Sequence, residues 1–382
     1  MSVPFPRCAL LRPLAAALAL ATLVACSSDP AKDVPTLVSI QQYQRTAYVP
    51  AEHFTLDGWS SQWKWDKHQL NVALLVPHGQ KNVPLIIYLP GLGENETGGD
   101  LWRQTWVDAG YAVLSVQAPR YDRSIYRSAD AQAGAFRAIA EHAFSDASLK
   151  SRVEEVDQML AEVKRRSAAG EPGYSAVDSQ RIVVAGYDLG AQTAAALAGE
   201  RDPGTARPVA WRPRAVILLS PYVEGGADRN RFSQIDTPVL AVTGLQDEDP
   251  FSWVSSAQQR QDLYDNLGPL GGYELLLPDT THQGLSGTLS SLTKVDKKSS
   301  GAPVASAEPA DKGDPIVHEA PPPSTVEQPI DVRQATSIAA VTTAWLDATI
   351  KQSVPAQQWL QQKAPKWLDQ IGMLSHKGAN AP

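Results

Sequence analysis

An aspartate stands where a sharp strand-to-helix turn would present a nucleophile. Gly186-Tyr187-Asp188-Leu189-Gly190 follows the apolar run Arg181-Ile-Val-Val-Ala185 and leads into Ala191-Gln-Thr-Ala-Ala-Ala-Leu197, a good helix sequence. Small residues two before and two after a central position suit a strained turn with no room on either flank. The centre of such a nucleophile elbow is usually Ser; here it is Asp188. The plainer role open to this pentapeptide is helix capping, because Asp is a good N-cap for a helix starting near Leu189.

Two further segments carry chemistry. Val239–Gly244 reads as a buried strand, and Leu245-Gln-Asp247-Glu-Asp249-Pro250 follows it. A carboxylate just past a strand's carboxyl end is well placed to orient a histidine. Tyr273–Leu277 reads as the last core strand and is followed by Pro278-Asp-Thr-Thr-His282-Gln-Gly284, which places His282 on a loop. Asp188, Asp247 and His282 thus occur in nucleophile–acid–histidine order, each past a strand. Asp249, on the same loop as Asp247, is the alternative acid. Pro84–Pro90 runs into Gly91-Leu92-Gly93, a turn able to donate a backbone N–H to an oxyanion. Leu92 and Leu189, the residue after the nucleophile, are the candidate oxyanion-hole donors.

These residues need a frame. Gln69–Val76, Gly110–Val116 and Arg214–Leu219 also read as strands. Over Leu149–Arg166, Val153, Val156, Leu160 and Val163 recur at helical spacing. Near-continuous apolar strands alternating with helices imply an α/β fold with a mostly parallel sheet covered on both faces. Loops at the strand carboxyl ends then gather the site.

From about Leu70 to Ser290 the chain resembles the α/β-hydrolase superfamily, nearest the dienelactone hydrolase and platelet-activating-factor acetylhydrolase-like branch. Val177–Ala194 is similar to that branch's elbow region, with Asp188 where Ser would stand. His282-Gln-Gly-Leu-Ser286 is similar to its histidine loop, and Arg333–Ile350 to its terminal helix. The resemblance implies the α/β-hydrolase fold, with the nucleophile at 188, the acid at 247 and the base at 282. The implied hydrolase domain spans 37–290 and is completed by a helical segment over 333–382.

The Asp narrows the chemistry. A carboxylate attacking a carboxylic ester would form an anhydride, an unfavourable intermediate. Attack on an sp3 carbon bearing a leaving group gives an alkyl-enzyme ester instead. Water activated by His282 can then cleave that ester at its carbonyl. Haloalkane dehalogenases and epoxide hydrolases look similar in having Asp at the elbow. They usually carry an aromatic residue after it and a large cap after the next core strand. Here Leu189 follows, and Ser220–Thr237 is too short for that cap. Pro119–Ser148 is long enough to cover the site and holds Tyr121, Tyr126 and His142. The substrate is expected to be a small ester-like or electrophilic molecule. The other expectation is a hydrolase-fold lipoprotein without turnover, which binds a ligand or an envelope partner.

The first 25 residues read as a targeting segment. Arg7 and Arg12 are its only charges, and Leu14–Val24 is too short to span a bilayer. Leu23-Val-Ala-Cys26 resembles the lipobox of bacterial lipoproteins, which implies lipidation of Cys26 as the mature N-terminus. Ser27 follows rather than Asp, which by the same resemblance favours the outer membrane, with the domain facing the periplasm or cell surface. Residues 26–36 read as a tether. Residues 291–332 read as a disordered insertion, with seven Pro between Ser299 and Asp331 and no apolar period. Loss of residues 1–25 removes two Arg and no acid, moving the net charge from −7 to −9. With no basic run on the mature chain, nucleic-acid binding is disfavoured. Cys8 and Cys26 are the only cysteines, so the mature chain has no disulfide available. Scattered His and no Cys/His spacing give no expectation of a metal, and no cofactor is expected. The Trp59–Trp65 aromatic cluster reads as packing on the sheet edge, or as a pocket rim or membrane-facing patch.

Overall fold

The computed structural model describes residues 37–65, 68–251, 253–254, 256–288 and 331–378. The targeting segment, Cys26, the tether and almost all of the Pro-rich stretch lie outside the described residues. Among the described residues nine strands form one sheet: β1 Leu56–Trp65, β2 His68–Pro77, β3 Val83–Leu89, β4 Ala112–Gln117, β5 Val177–Tyr187, β6 Ala215–Leu219, β7 Val239–Thr243, β8 Gly272–Leu276 and β9 Met373–Lys377. Their order is β1-β2-β4-β3-β5-β6-β7-β8-β9. From β4 through β8 all neighbours are parallel; β1, β2 and β9 pair antiparallel at the two sides. The protein therefore has an α/β fold with a mostly parallel mixed sheet, compatible with a hydrolase-like fold.

The apolar strands are explained by burial on both faces, since alternate side chains point to opposite sides of a sheet. Along β3, Leu85, Ile87 and Leu89 enter one core, while Ile86 and Tyr88 enter the other. The first core packs under helices α4 Phe136–Phe144, α5 Asp146–Ala168 and α6 Leu189–Ala198. Val153, Val156, Leu160 and Val163 of α5 are buried there, as their spacing implies. The second core packs under α2 Asp100–Asp108 and α9 Val332–Thr349, together with the helical turns over 354–368. Ile338, Val341 and Trp345 supply the buried face of α9. Polar contacts fix its seat: Trp106 Nε1 donates to Thr342 Oγ1 (3.1 Å), and Tyr111 and Tyr48 donate to the Asp347 carboxylate (2.9 and 2.8 Å).

Two elements differ from the sequence reading. The Trp59–Trp65 segment does not merely pack on the sheet edge; it is the edge, paired with β2 over its whole length. Trp63 is buried, with Arg166 over its ring. The terminal segment is not only helical. It ends in β9, which pairs with β8 and closes the other side of the sheet. Short strands whose partner is remote in sequence leave little periodic signal.

Candidate active site

The carboxyl ends of β3, β5, β6, β7 and β8 converge on one buried polar cluster. The elbow between β5 and α6 bends at Asp188, with φ 52° and ψ −110°. This backbone conformation is strained for any residue with a Cβ, and such strain gathers at functional sites. The two elbow glycines are sterically required. A Cβ on Gly186 would lie 2.2 Å from the Gly190 carbonyl oxygen, and one on Gly190 would lie 1.9 Å from that of Leu89. The backbone of Asp188 occupies the N-cap position of α6, but its side chain makes no cap bond. Asp188 Oδ2 instead accepts the Leu92 N–H at 3.1 Å, and Oδ1 lies 3.8 Å from His282 Nε2. The carboxylate is turned from its own helix towards the turn and the histidine.

His282 differs locally from its expected setting: it is the first residue of a short helix, α8 His282–Ser286, with Thr281 as cap. Gln246 and Thr281, each one residue before a site residue, form a parallel bridge that brings the two loops together. His282 Nδ1 lies 2.8 Å from Asp247 Oδ1. A proton on Nδ1 would donate to the Asp247 carboxylate and leave Nε2, which faces Asp188, able to take a proton. Tyr187 supports the ring from below, with ring centroids 5.1 Å apart, and donates its hydroxyl to the His282 carbonyl (3.0 Å). Of the two acids on the β7 loop, Asp247 is the one bonded to His282. Asp249 caps its own loop, accepting from the amides of Phe251, Trp253 and Val254.

Sequence reasoning missed the residues that hold Asp247. Ser220, at φ 54° just past β6, donates to Asp247 Oδ1 (2.8 Å) and lies 2.9 Å from His282 Nδ1. Thr243 donates to Oδ2 (2.8 Å). Arg260, fully buried, donates to the Asp247 carbonyl (2.9 Å) and lies 3.3 Å from Oδ1. Its guanidinium also bonds the Pro221 carbonyl. A buried carboxylate needs a countercharge and filled lone pairs, and these three side chains supply both. Ser220 had one signal, its place directly after a core strand; nothing near Arg260 marks it.

Around the turn at 91–94 lies a second carboxyl group. Glu94 accepts from the Gly91 amide (3.0 Å) and from the Thr288 hydroxyl (2.5 Å), tying the turn to the segment after α8. Burial pushes the Glu94 carboxyl above its ordinary range, and the nearby Asp188 charge adds to this. Asp188 is raised as well, chiefly by burial; His282 pulls it back and Asp249 pushes it further up. Leu189, the first residue of α6, presents its amide at a helix N-terminus, where N–H groups lack intrahelical acceptors. Among the described residues no group of three or more His, Cys, Asp or Glu is arranged to hold a metal ion. No described helix is long and apolar enough to cross a membrane.

The site is closed. Asp188 is 5% exposed and His282 9%. A small cavity of about 40 Å³ lies behind the elbow between Pro90, Tyr121, Arg152, Leu189 and Thr193; neither Asp188 nor His282 lines it. A scan against protein-family models found no match, and a search of curated proteins found none.

Proposed function

We propose that this chain is a hydrolase of the α/β-hydrolase type, nearest the dienelactone hydrolase and platelet-activating-factor acetylhydrolase-like branch, in which Asp188 is the nucleophile. His282 is the general base, Asp247 orients it, and the amides of Leu92 and Leu189 form the oxyanion hole. One observation carries this reading: the two oxygens of Asp188 have different partners. Oδ2 lies on the Leu92 amide and Oδ1 faces His282. If Oδ1 attacks an sp3 carbon, the leaving group departs with the bonding electrons and an alkyl ester forms. Oδ2 is then the ester carbonyl oxygen, already on a donor suited to a developing oxyanion. His282 Nε2 takes a proton from water, hydroxide adds to the ester carbonyl, and the intermediate collapses. The departing alkoxide takes the proton back from His282. Asp188 is left carrying one oxygen from water and ionises to restart the cycle.

Turnover in heavy-oxygen water should therefore label the peptide containing Asp188. His282→Ala should accumulate the covalent ester, because activated water is needed only in the second step. Absence of both on a broad panel of alkyl halides, epoxides and esters refutes the nucleophile role. The closure over Asp188 and His282 favours a second reading, a ligand-binding protein without turnover. Under that reading Asp188→Ser creates an esterase absent from the native chain, and the native chain shows no label. We further propose that Cys26 is lipidated and anchors the domain in the bacterial envelope, at the outer membrane. Cys26→Ala should then leave an unprocessed form, and mass spectrometry of the membrane fraction should find the lipid on Cys26 in the native chain.

A further inference from the structure

The segment over 119–144 lies against the Gly93 turn beside the site, and its construction distinguishes fixed ends from a lighter middle. At one end the Gly93 amide donates to the Tyr121 carbonyl (2.8 Å). At the other, buried Arg152 bonds Thr193, Gln192 and the Ala143 carbonyl, and Gln192 donates to the Phe144 carbonyl (2.9 Å). Tyr121, Ala143 and Phe144 are buried, whereas most side chains between 122 and 138 are half-buried or exposed. The middle is held by aromatic contacts. The Tyr126 hydroxyl rests on Gly93, so closely that a Cβ there would lie 2.3 Å from it. The Phe136 ring lies 6.4 Å from that of Phe251. The opposing face is tied down, because Asp249 accepts from the loop amides of Phe251, Trp253 and Val254.

We infer that Tyr126 and Phe136 form an aromatic gate over Asp188, closing against Gly93 and Phe251, and that this gate admits uncharged apolar substrates and rejects anionic ones. The selectivity rests on the nucleophile reading above; the gate itself does not. Two physical features carry it. The threshold consists of ring faces, which desolvate an apolar chain at no polar cost. Behind it stand the carboxyl groups of Asp188 and Glu94, held on the neighbouring amides of Leu92 and Gly91, with Asp249 on the amide of Phe251 at the threshold. An anion entering there adds like charge where screening is weak. The buried arginines are already committed, Arg260 to Asp247 and Pro221, Arg152 to its three partners, and Arg103 to the Gly98 and Thr97 carbonyls. Arg123, Arg127 and Arg137 on this segment are exposed, so solvent and salt screen them. Burial and the Asp188 charge push the Tyr126 hydroxyl up to about 12, which keeps the gate residue neutral.

The test uses the full chain carrying His282→Ala, so that adducts persist, and two epoxides of equal length, 1,2-epoxyhexane and 5,6-epoxyhexanoate. In each, a carboxylate oxygen bonds to a ring carbon, the ring C–O bond breaks, and the oxygen takes a proton from solvent. Mass spectrometry then follows the adduct on Asp188. The neutral probe should react at least about tenfold faster, a difference of about 1.4 kcal/mol. Tyr126→Ala should speed labelling by both probes and narrow their ratio; Phe136→Leu, a milder change, should do so less. Equal rates in the parent, or a ratio untouched by Tyr126→Ala, overturn the selectivity. If neither probe labels Asp188 in any variant, the nucleophile reading fails. The gate is then judged by amide exchange over 91–94, which should accelerate in Tyr126→Ala and Phe136→Leu at unchanged Tm. Unchanged exchange overturns the gate.

Discussion

Replacing Asp188 by Asn should make this protein more stable, and increasingly so as the pH rises. The variant keeps the strained backbone of the elbow, so that cost cancels. Asn Oδ1 can still accept the Leu92 amide, now as a neutral bond weaker by about 1 kcal/mol than a charge-assisted one. The amide NH2 faces His282 Nε2, which has a lone pair to accept it; closing the present 3.8 Å gap would return about 0.5–1.5 kcal/mol. The main gain is the loss of a buried charge, whose effective burial penalty is several kcal/mol before partial compensation. Here His282 offsets part of the charge and Arg260 already serves Asp247, so compensation is incomplete. A net gain of about 1–2 kcal/mol matches what relief of a destabilised site commonly yields. For a body of this size that amounts to a rise in Tm of about 2–5 °C. The pH dependence is the sharper test. The folded-state Asp188 carboxyl lies above its ordinary value of 3.8, so the native protein keeps its full stability below about that pH and loses some as pH rises through the folded value. The Asn variant has no such loss. Thermal unfolding followed by circular dichroism should show nearly equal Tm values at pH 4 and the full gap at pH 7.5. A variant less stable at pH 7.5, or a gap constant across the range, would mean that the Asp188 charge is fully compensated and would refute the argument.

Arg260→Met should cost about 3–5 kcal/mol in urea unfolding, because it leaves the Asp247 carboxylate buried without its countercharge; a loss under about 1 kcal/mol would show the ion pair to be dispensable. Gly190→Ala should lower stability by about 3 kcal/mol or prevent folding, since its Cβ would lie 1.9 Å from the Leu89 carbonyl oxygen and overpacking against backbone cannot relax. A soluble Gly190→Ala protein of native Tm would show the elbow to be looser than described. Ser220→Ala should leave the fold intact, at a cost of about 1–3 kcal/mol for one hydrogen bond to a charged group. If His282 is the base, the same variant should also shift the pH profile of turnover, because it removes a donor from Asp247 and a neighbour from Nδ1.

Much was legible in the sequence because it depends on local rules. Strands buried on both faces must read as near-continuous apolar runs, so β3 through β8 announced themselves. An elbow needs small flanks, and Gly186 and Gly190 marked it. Parallel strands place their following loops at one edge, so the order Asp188, Asp247, His282 was enough to expect that those side chains meet. Other features only the folded chain decided. Whether Asp188 caps its helix or turns to the Leu92 amide depends on a turn about a hundred residues earlier. Whether Asp247 or Asp249 meets His282 depends on a bridge between Gln246 and Thr281. Arg260 lies in a segment without any pattern of its own, and Ser220 is marked only by following β6, yet a buried carboxylate must find a countercharge and donors wherever the fold can bring them. The seating of Tyr126 on Gly93 and of Phe136 beside Phe251 is likewise decided in space. The local pattern is written by burial and backbone sterics, which act between near neighbours. Charge compensation and access are set by distances in space, which the chain acquires only once the sheet has brought its loops to one edge.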